Sequence, residues 1–354
     1  MFRLTTFIFT MYFLLFVAEA SGQSFQLLAS PGGITGVLVG SDYVNTFGNM
    51  NALGIGTPGT GLTVAALSNG AIYYSQFQVQ FAGLANGHKA SLTAYVSINF
   101  AHPGAQVVEN CPSTGACTTS GGYAAMSTAA GAPSNVVAAP GMGNGTAVTV
   151  GIGIFIPDNN GATAFAGVDT SAVVTYRMTD LSTNRVVATA TWTFNGTPSQ
   201  TVQNAVRMSL GTATGGLTIT AASDYSTSFG NVNGLGISPG AGLTTVSAAG
   251  GTIYSTPYLF NVAFTDFSSL TATIKAYVSV NFAHPTNLQL QDAALGAGPY
   301  TALSTTAGSP TILTTTAANR SANTRYLGLL VYQKPTTPFM GTDNATVTYT
   351  LTVP

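Results

Sequence analysis

The chain repeats itself. Ser41, Asp42 and Tyr43, then Phe47, Gly48, Asn49, Asn51, Leu53, Gly54 and Ile55, return 182 residues later as Ser223, Asp224 and Tyr225, then Phe229, Gly230, Asn231, Asn233, Leu235, Gly236 and Ile237. At the same offset residues 94–103 return as 276–285, with Ile98 exchanged for Val280. Tyr123, Gly131 and Pro133 return as Tyr300, Gly308 and Pro310, and residues 172–176 as 345–349, in unchanged order. Two copies are too few for a solenoid, in which each repeat leans on its neighbours, so each copy must close a core of its own. A length of 354 residues leaves room for two such domains. The division expected is residues 1–20, 21–198 and 199–354, with the polar stretch 195–199 as linker.

Each copy reads as strands. Leu92, Ala94, Val96, Ile98 and Phe100 alternate with polar residues, as do Ala272, Ile274, Ala276, Val278, Val280 and Phe282. Phe77, Val79 and Phe81, then Val148 to Ile156, then Val186 to Phe194, repeat the pattern. A period of two gives one core face and one wet face. No segment after residue 20 shows a persuasive helical period. The fold class expected is all-β, two tandem antiparallel β-sandwiches of immunoglobulin-like or jelly-roll-like form.

Charge is scarce: 9 Lys and Arg, 10 Asp and Glu, 5% of the chain against about 25% in an average soluble domain. No basic excess exists to neutralise phosphates, which argues against nucleic acid as a partner. The wet faces are Thr, Ser, Asn and Gln, a composition associated with extracellular structural or adhesive β-domains.

Residues 1–20 read as a secretory signal peptide. Arg3 is the basic start, Phe7 to Val17 the apolar stretch, and Ala18-Glu19-Ala20 the cleavage site. The apolar run is short for a membrane span, and no later stretch is long enough, so no stable span is expected after cleavage. The location expected is secreted or cell-surface. In an oxidising compartment, Cys111 and Cys117 are expected to close a small disulfide loop. Such a loop contributes about 2–3 kcal/mol in the chain-entropy model. His102 to Tyr123 spans 21 residues and His284 to Tyr300 spans 16, so the pair falls in a segment where copy 1 is five residues longer.

A second difference lies near the copies' last strands. Copy 1 continues past Tyr176 through the turn at 179–184 into a further strand, residues 186–194. Copy 2 runs from Tyr349 to Pro354 without the matching turn and strand. Three readings stay open. The extra strand is an add-on; or its absence leaves copy 2 with an unpaired edge that templates strand addition; or it pairs with copy 2 itself.

Catalytic patterns are missing. No Gly-x-Ser-x-Gly elbow sits on a strand-to-helix turn, no His-Glu-x-x-His occurs, and no Gly-x-x-x-x-Gly-Lys-Ser/Thr phosphate loop is present. Asp42 and Asp224 read as turn residues. The sequence asks for no metal and no cofactor, and the protein is expected not to be an enzyme. The only candidate ligand site is the strand that each His-Pro pair terminates: Tyr95, Asn99 and His102 in copy 1, and Tyr277, Asn281 and His284 in copy 2. Tyr and Asn on a flat strand face stack on and hydrogen-bond sugars, and they also serve as ordinary cross-strand pairs. The His rings are equally explained as strand ends stopped by Pro103 and Pro285.

The run Phe-Gly-Asn-x-Asn-x-Leu-Gly-Ile, the Tyr-bearing turn and the closing alternating strand with its late Tyr349 resemble spore coat protein U and Csu-type fimbrial subunits. The resemblance covers about 40 residues of each copy. It implies secreted, incomplete immunoglobulin-like sandwiches assembled by a periplasmic chaperone and an outer-membrane usher. An alternating N-terminal donor strand of the pilin type is not evident, since only Phe25, Leu27 and Ala29 alternate before Pro31. The placing of the matched copy after another copy fits a tip adhesin better than a shaft subunit. The function expected is a structural or adhesive surface protein, with self-association or an extracellular surface or glycan as partner. The alternative is a carbohydrate-binding protein using the Tyr/Asn faces.

Overall fold

The computed structural model describes residues 22–29, 37–39, 42–45, 47–158, 165–194, 201–202, 205–221, 224–265 and 271–354. The signal peptide expected over 1–20 and the linker expected over 195–199 lie outside them. The described residues are all-β with one 3₁₀ turn, Ser120–Gly122, and their sheets are almost wholly antiparallel, arranged as sandwiches. The chain forms two compact units. Unit 1 holds the described residues up to Pro157 with Gly167–Val202, and unit 2 holds Asp158–Ala166 with Gln203–Pro354.

In unit 1, one sheet runs in the order β1 (Ser24–Ala29), β6 (Gly70–Ala82), β11 (Ala147–Pro157), β8 (Val107–Cys111), β9 (Ala124–Ala125), with β5 (Thr63–Leu67) also on β6. The facing sheet runs β10 (Ser134–Met142), β7 (Ala90–Ile98), β13 (Ala172–Asp180), β14 (Arg185–Phe194), β3 (Asp42–Asn45), β2 (Val37–Val39). A small third sheet joins β12 (Gly167–Val168), β15 (Thr201–Val202) and β4 (Asn49–Met50). Alternation sets the core: Phe77, Val79 and Phe81 of β6 and Leu92, Ala94 and Val96 of β7 are buried, as are Val174, Tyr176 and Met178 of β13. Burying such side chains stabilises by about 1.5–3 kcal/mol each.

Unit 2 repeats the first sheet as β16 (Ala205–Thr212), β20 (Gly251–Thr265), β25 (Ser321–Tyr332), β22 (Leu288–Ala293), β23 (Thr301–Ala302), with β19 (Thr244–Ala248) on β20. Its second layer is in two pieces. One is β24 (Thr311–Ala318), β21 (Thr271–Val280), β26 (Thr346–Thr352); the other is the hairpin β17 (Thr220–Ala221), β18 (Tyr225–Ser226).

Cys111 and Cys117 form the expected disulfide. Beside them Tyr123 lies on the outer face of β11. Its hydroxyl donates to the carbonyls of Ser75 and Cys117, both at 3.1 Å. A Cβ at Gly151 would stand 2.3 Å from that hydroxyl, so the strand is glycine where the tyrosine crosses it. Tyr300 crosses Gly328 in the same way in unit 2.

Candidate functional site

The strand ends singled out by the two His-Pro pairs are built alike. In unit 1, Asp169 accepts the backbone N–H of Ala101 (3.1 Å), His102 (3.0 Å) and Thr170 (2.7 Å), and lies 3.3 Å from His102 Nδ1. In unit 2, Asp343 accepts from Ala283 (3.0 Å), His284 (2.9 Å) and Asn344 (2.8 Å) and bonds His284 Nδ1 at 3.0 Å. The His284 ring stacks on Phe339 with centroids 3.7 Å apart. Burial alone would raise both carboxyls, but the N–H donors and the His contacts outweigh it and hold them below the ordinary range. Asn99 and Asn281 each accept the N–H of the following residue at 2.9 Å. Tyr95 lies under the Arg177 guanidinium, 4.5 Å from ring centroid to carbon, and its hydroxyl accepts from Nη2 at 2.8 Å. Tyr277 faces Ser304 across a lone parallel bridge. Asp169 and Asp343 were not singled out in the sequence. Their signal is an Asp three residues ahead of each closing strand, at Ala172 and at Thr346.

The recurring Phe-Gly-Asn motif is structural in the same sense. Asn51 Oδ1 accepts the N–H of Leu53 and Ile55, both at 3.1 Å, while the Tyr73 hydroxyl holds the Asn51 backbone N–H and carbonyl, both at 3.0 Å. Asn233 and Tyr254 do the same in unit 2.

The feature that distinguishes the units is one strand position. In unit 1, β14 pairs antiparallel with β13 along its length and parallel with β3, placing Trp192 opposite both Val174 and Tyr43. Among the described residues β14 thus pairs only with strands of unit 1, β13 along its length and β3 at Trp192–Phe194, and not with a strand of copy 2. By the repeat, β10, β7 and β13 correspond to β24, β21 and β26, and β2 and β3 to β17 and β18. Removing β14 from the six-stranded sheet of unit 1 leaves three strands and a hairpin, which is what unit 2 has. Among the described residues, β26 pairs only with β21, and β18 only with β17.

Burial follows the missing strand. In unit 1, Trp192 packs against Phe77 (5.1 Å between centroids) and Phe194 against Phe47 (5.5 Å). Phe47, Met50 and Tyr176 are buried there, whereas their counterparts Phe229, Val232 and Tyr349 are only partly buried. Leu53 is 4% exposed and its counterpart Leu235 is 68% exposed. Val347, Leu351 and Val353 of the closing segment are also only half-buried, though they pack on the unit 2 core. Among the described residues a partly buried apolar flank thus lies beside two strands, β26 and β18, each paired along one edge.

The core of unit 2 is also more polar. Phe77 and Tyr176 correspond to Tyr258 and Tyr349, and Val150 and Asn110 to Arg325 and Asp292. The Tyr258 hydroxyl donates to Asp292 Oδ2 at 2.6 Å, Arg325 Nε donates to Asp292 Oδ1 at 2.7 Å, and Arg325 Nη1 donates to the Leu313 carbonyl at 2.7 Å. Among the described residues no three His, Cys, Asp or Glu side chains are grouped to hold a metal ion, and no helix is long and apolar enough to cross a membrane.

No family model matches the chain. No curated protein matches it either. Solved structures similar to it include the N-terminal domain of PorA, at 8% identity and a TM-score of 0.23 over 51% of this chain and 97% of that one. The CupB6 tip adhesin from Pseudomonas aeruginosa is similar at 9% identity and a TM-score of 0.27, over 94% of this chain and 95% of that one. A chaperone–tip adhesin complex of CFA/I fimbriae is similar at 14% identity and a TM-score of 0.19, over 94% and 84%. Fimbrial tip adhesins are thus among its weak structural neighbours, and at these TM-scores the neighbours carry no argument about what this chain does.

Proposed function

We propose that the protein is a secreted, non-enzymatic structural or adhesive subunit of a cell surface or extracellular filament, joined to its neighbour by a strand that the neighbour inserts between β26 and β18 of unit 2. The observation that carries this reading is the internal comparison: among the described residues the second layer of unit 2 is that of unit 1 lacking one strand, and Phe47 and Tyr176, which touch Phe194 and Trp192 of that strand, have less-buried counterparts in Phe229 and Tyr349. The inserted strand runs antiparallel to β26 and parallel to β18, as β14 does between β13 and β3. A disulfide, a nearly uncharged polar exterior and the signal-like first 20 residues support the extracellular setting. The fimbrial resemblance of the sequence implies the same assembly logic.

The test is to titrate the full chain with a synthetic peptide carrying residues 181–194, the protein's own example of a fitting strand. Saturable binding with slowed hydrogen exchange at alternate amides of Thr346–Thr352 is expected. Unchanged exchange across that strand at saturating peptide would refute the reading.

A further inference from the structure

Unit 2 holds a second feature, independent of the open strand position. In unit 1 the longer loop after β8 folds back as the Cys111–Cys117 ring. Ser113 N–H donates to the Val136 carbonyl at 2.8 Å, and both half-cystines are buried. In unit 2 the shorter loop after β22 leaves the corresponding ground open. A cleft of about 250 Å³ lies between that loop and the start of β24. Leu295, Pro299 and Ile312 form an apolar wall, Thr301 stands at the rim, and Asp292 and Arg325 close the inner side. Ile312 is 58% exposed there and Leu295 67%, unusual for large aliphatic side chains flanking a concave surface.

The inner side has a defined hydrogen-bonding valence. A guanidinium carries five N–H groups. Arg325 gives two to Asp292 and one to the Leu313 carbonyl, which leaves two among its contacts with the described residues. Both Asp292 oxygens are bonded, Oδ1 by Arg325 and Oδ2 by Tyr258, so the Asp292–Arg325 ion pair presents guanidinium donors and no net charge. The Arg325 side chain is largely buried, which makes an unanswered donor there costly and an incoming oxygen acceptor favourable.

The geometry points to a binding site in this cleft for a single neutral sugar ring or similar polyol. Ring hydroxyls accept from the two remaining Arg325 N–H groups, and the C–H face lies on Leu295, Pro299 and Ile312. Size selects the class: drug-sized ligands occupy about 300–1,000 Å³, so a space of this volume takes one ring and excludes a nucleotide or an extended oligosaccharide. Charge selects within the class: a sugar acid would bring an anion to a cation already neutralised by Asp292.

The test is saturation-transfer NMR and calorimetric titration of the full chain with glucose, galactose, mannose, fucose and N-acetylglucosamine, with glucuronate as the acidic comparison. Saturable binding of at least one neutral sugar is expected, with glucuronate at least tenfold weaker. Thr301→Trp, which fills the mouth from an exposed position, is expected to weaken binding at least tenfold with unchanged near-ultraviolet circular dichroism. Arg325→Lys, which keeps the charge opposite Asp292 but removes the fork, is expected to do the same. No saturable binding by any neutral sugar overturns the site. So does binding undiminished in Thr301→Trp, or glucuronate preferred over every neutral sugar. Binding of the 181–194 peptide, measured in the same samples, reports separately on the strand position.

Discussion

At the scale of single residues, two carboxyls of unit 1 respond to pH in opposite senses. Glu109 on β8 is pushed up to about 7 because burial penalises its charged form. A raised folded value means the protonated state is the one the fold prefers. The stability it contributes is full below pH 4.5 and is lost as pH rises through about 7. Asp180 is held near 2, first by the hydrogen bond with His88 Nδ1 at 3.0 Å, against the cost of burial and with help from Gln23 and the Ser182 N–H. Its contribution is present above the ordinary aspartate value of 3.8 and is lost as pH falls through about 2. Thermal melts from pH 2 to 8 separate the two. Glu109→Gln is expected to raise the melting temperature at pH 8 and leave it unchanged at pH 4. Asp180→Asn is expected to lower it at pH 7 and to converge with the parent at pH 2. Identical curves for Glu109→Gln and the parent at pH 8 would show that the carboxyl is not desolvated.

At the scale of elements, β14 does for unit 1 what no described strand does for unit 2. Trp192 is its anchor, 2% exposed and in ring contact with Phe77, Tyr176 and Phe194. Trp192→Ala leaves a cavity among those rings and is expected to destabilise unit 1 by about 3–5 kcal/mol, read from urea unfolding. A loss under about 1 kcal/mol would mean that the strand is an add-on rather than a wall of the core. The strand was legible beforehand because Ala190, Trp192 and Phe194 alternate with threonines, and so were β6, β7 and β21, where a two-residue period meets one buried face. Its partners were not. Pairing with β3 is parallel and joins residues some 150 apart in the chain, and local periodicity carries no information about such a contact. The same reason hid the sites. His102 and His284 were visible as strand ends, but the carboxylates that clamp them arrive from 67 and 59 residues away. The Asp292, Arg325 and Tyr258 cluster is assembled from three strands whose sequences each look ordinary alone. The disulfide was legible because its two cysteines are close in sequence and nothing else competes for them.

At the scale of the whole molecule, the two units are an experiment with its own control: one fold, once with the strand and once without. If the difference between them is only the strand, supplying it should convert the second into the first. The repeat places Asp180 at Val353, so residues 181–194 grafted in place of Pro354 put a turn and a strand where unit 1 has them. Two large rings would then cover Phe229 and Tyr349, the counterparts of Phe47 and Tyr176. At roughly 1.5–3 kcal/mol for each large side chain buried, the graft should stabilise unit 2 by about 4 kcal/mol, or on the order of 10 °C in melting temperature. It should also abolish binding of the free 181–194 peptide, because the position is filled, and it should slow exchange at Tyr225 and Ser226, because β18 gains the parallel neighbour that β3 has. A graft with alanine at the positions of Trp192 and Phe194 separates backbone pairing from side-chain burial and is expected to recover less than half of the rise. A graft that leaves both melting temperature and peptide binding unchanged would mean that β26 and β18 do not bound a strand-wide site, and assembly through unit 2 would lose its physical basis.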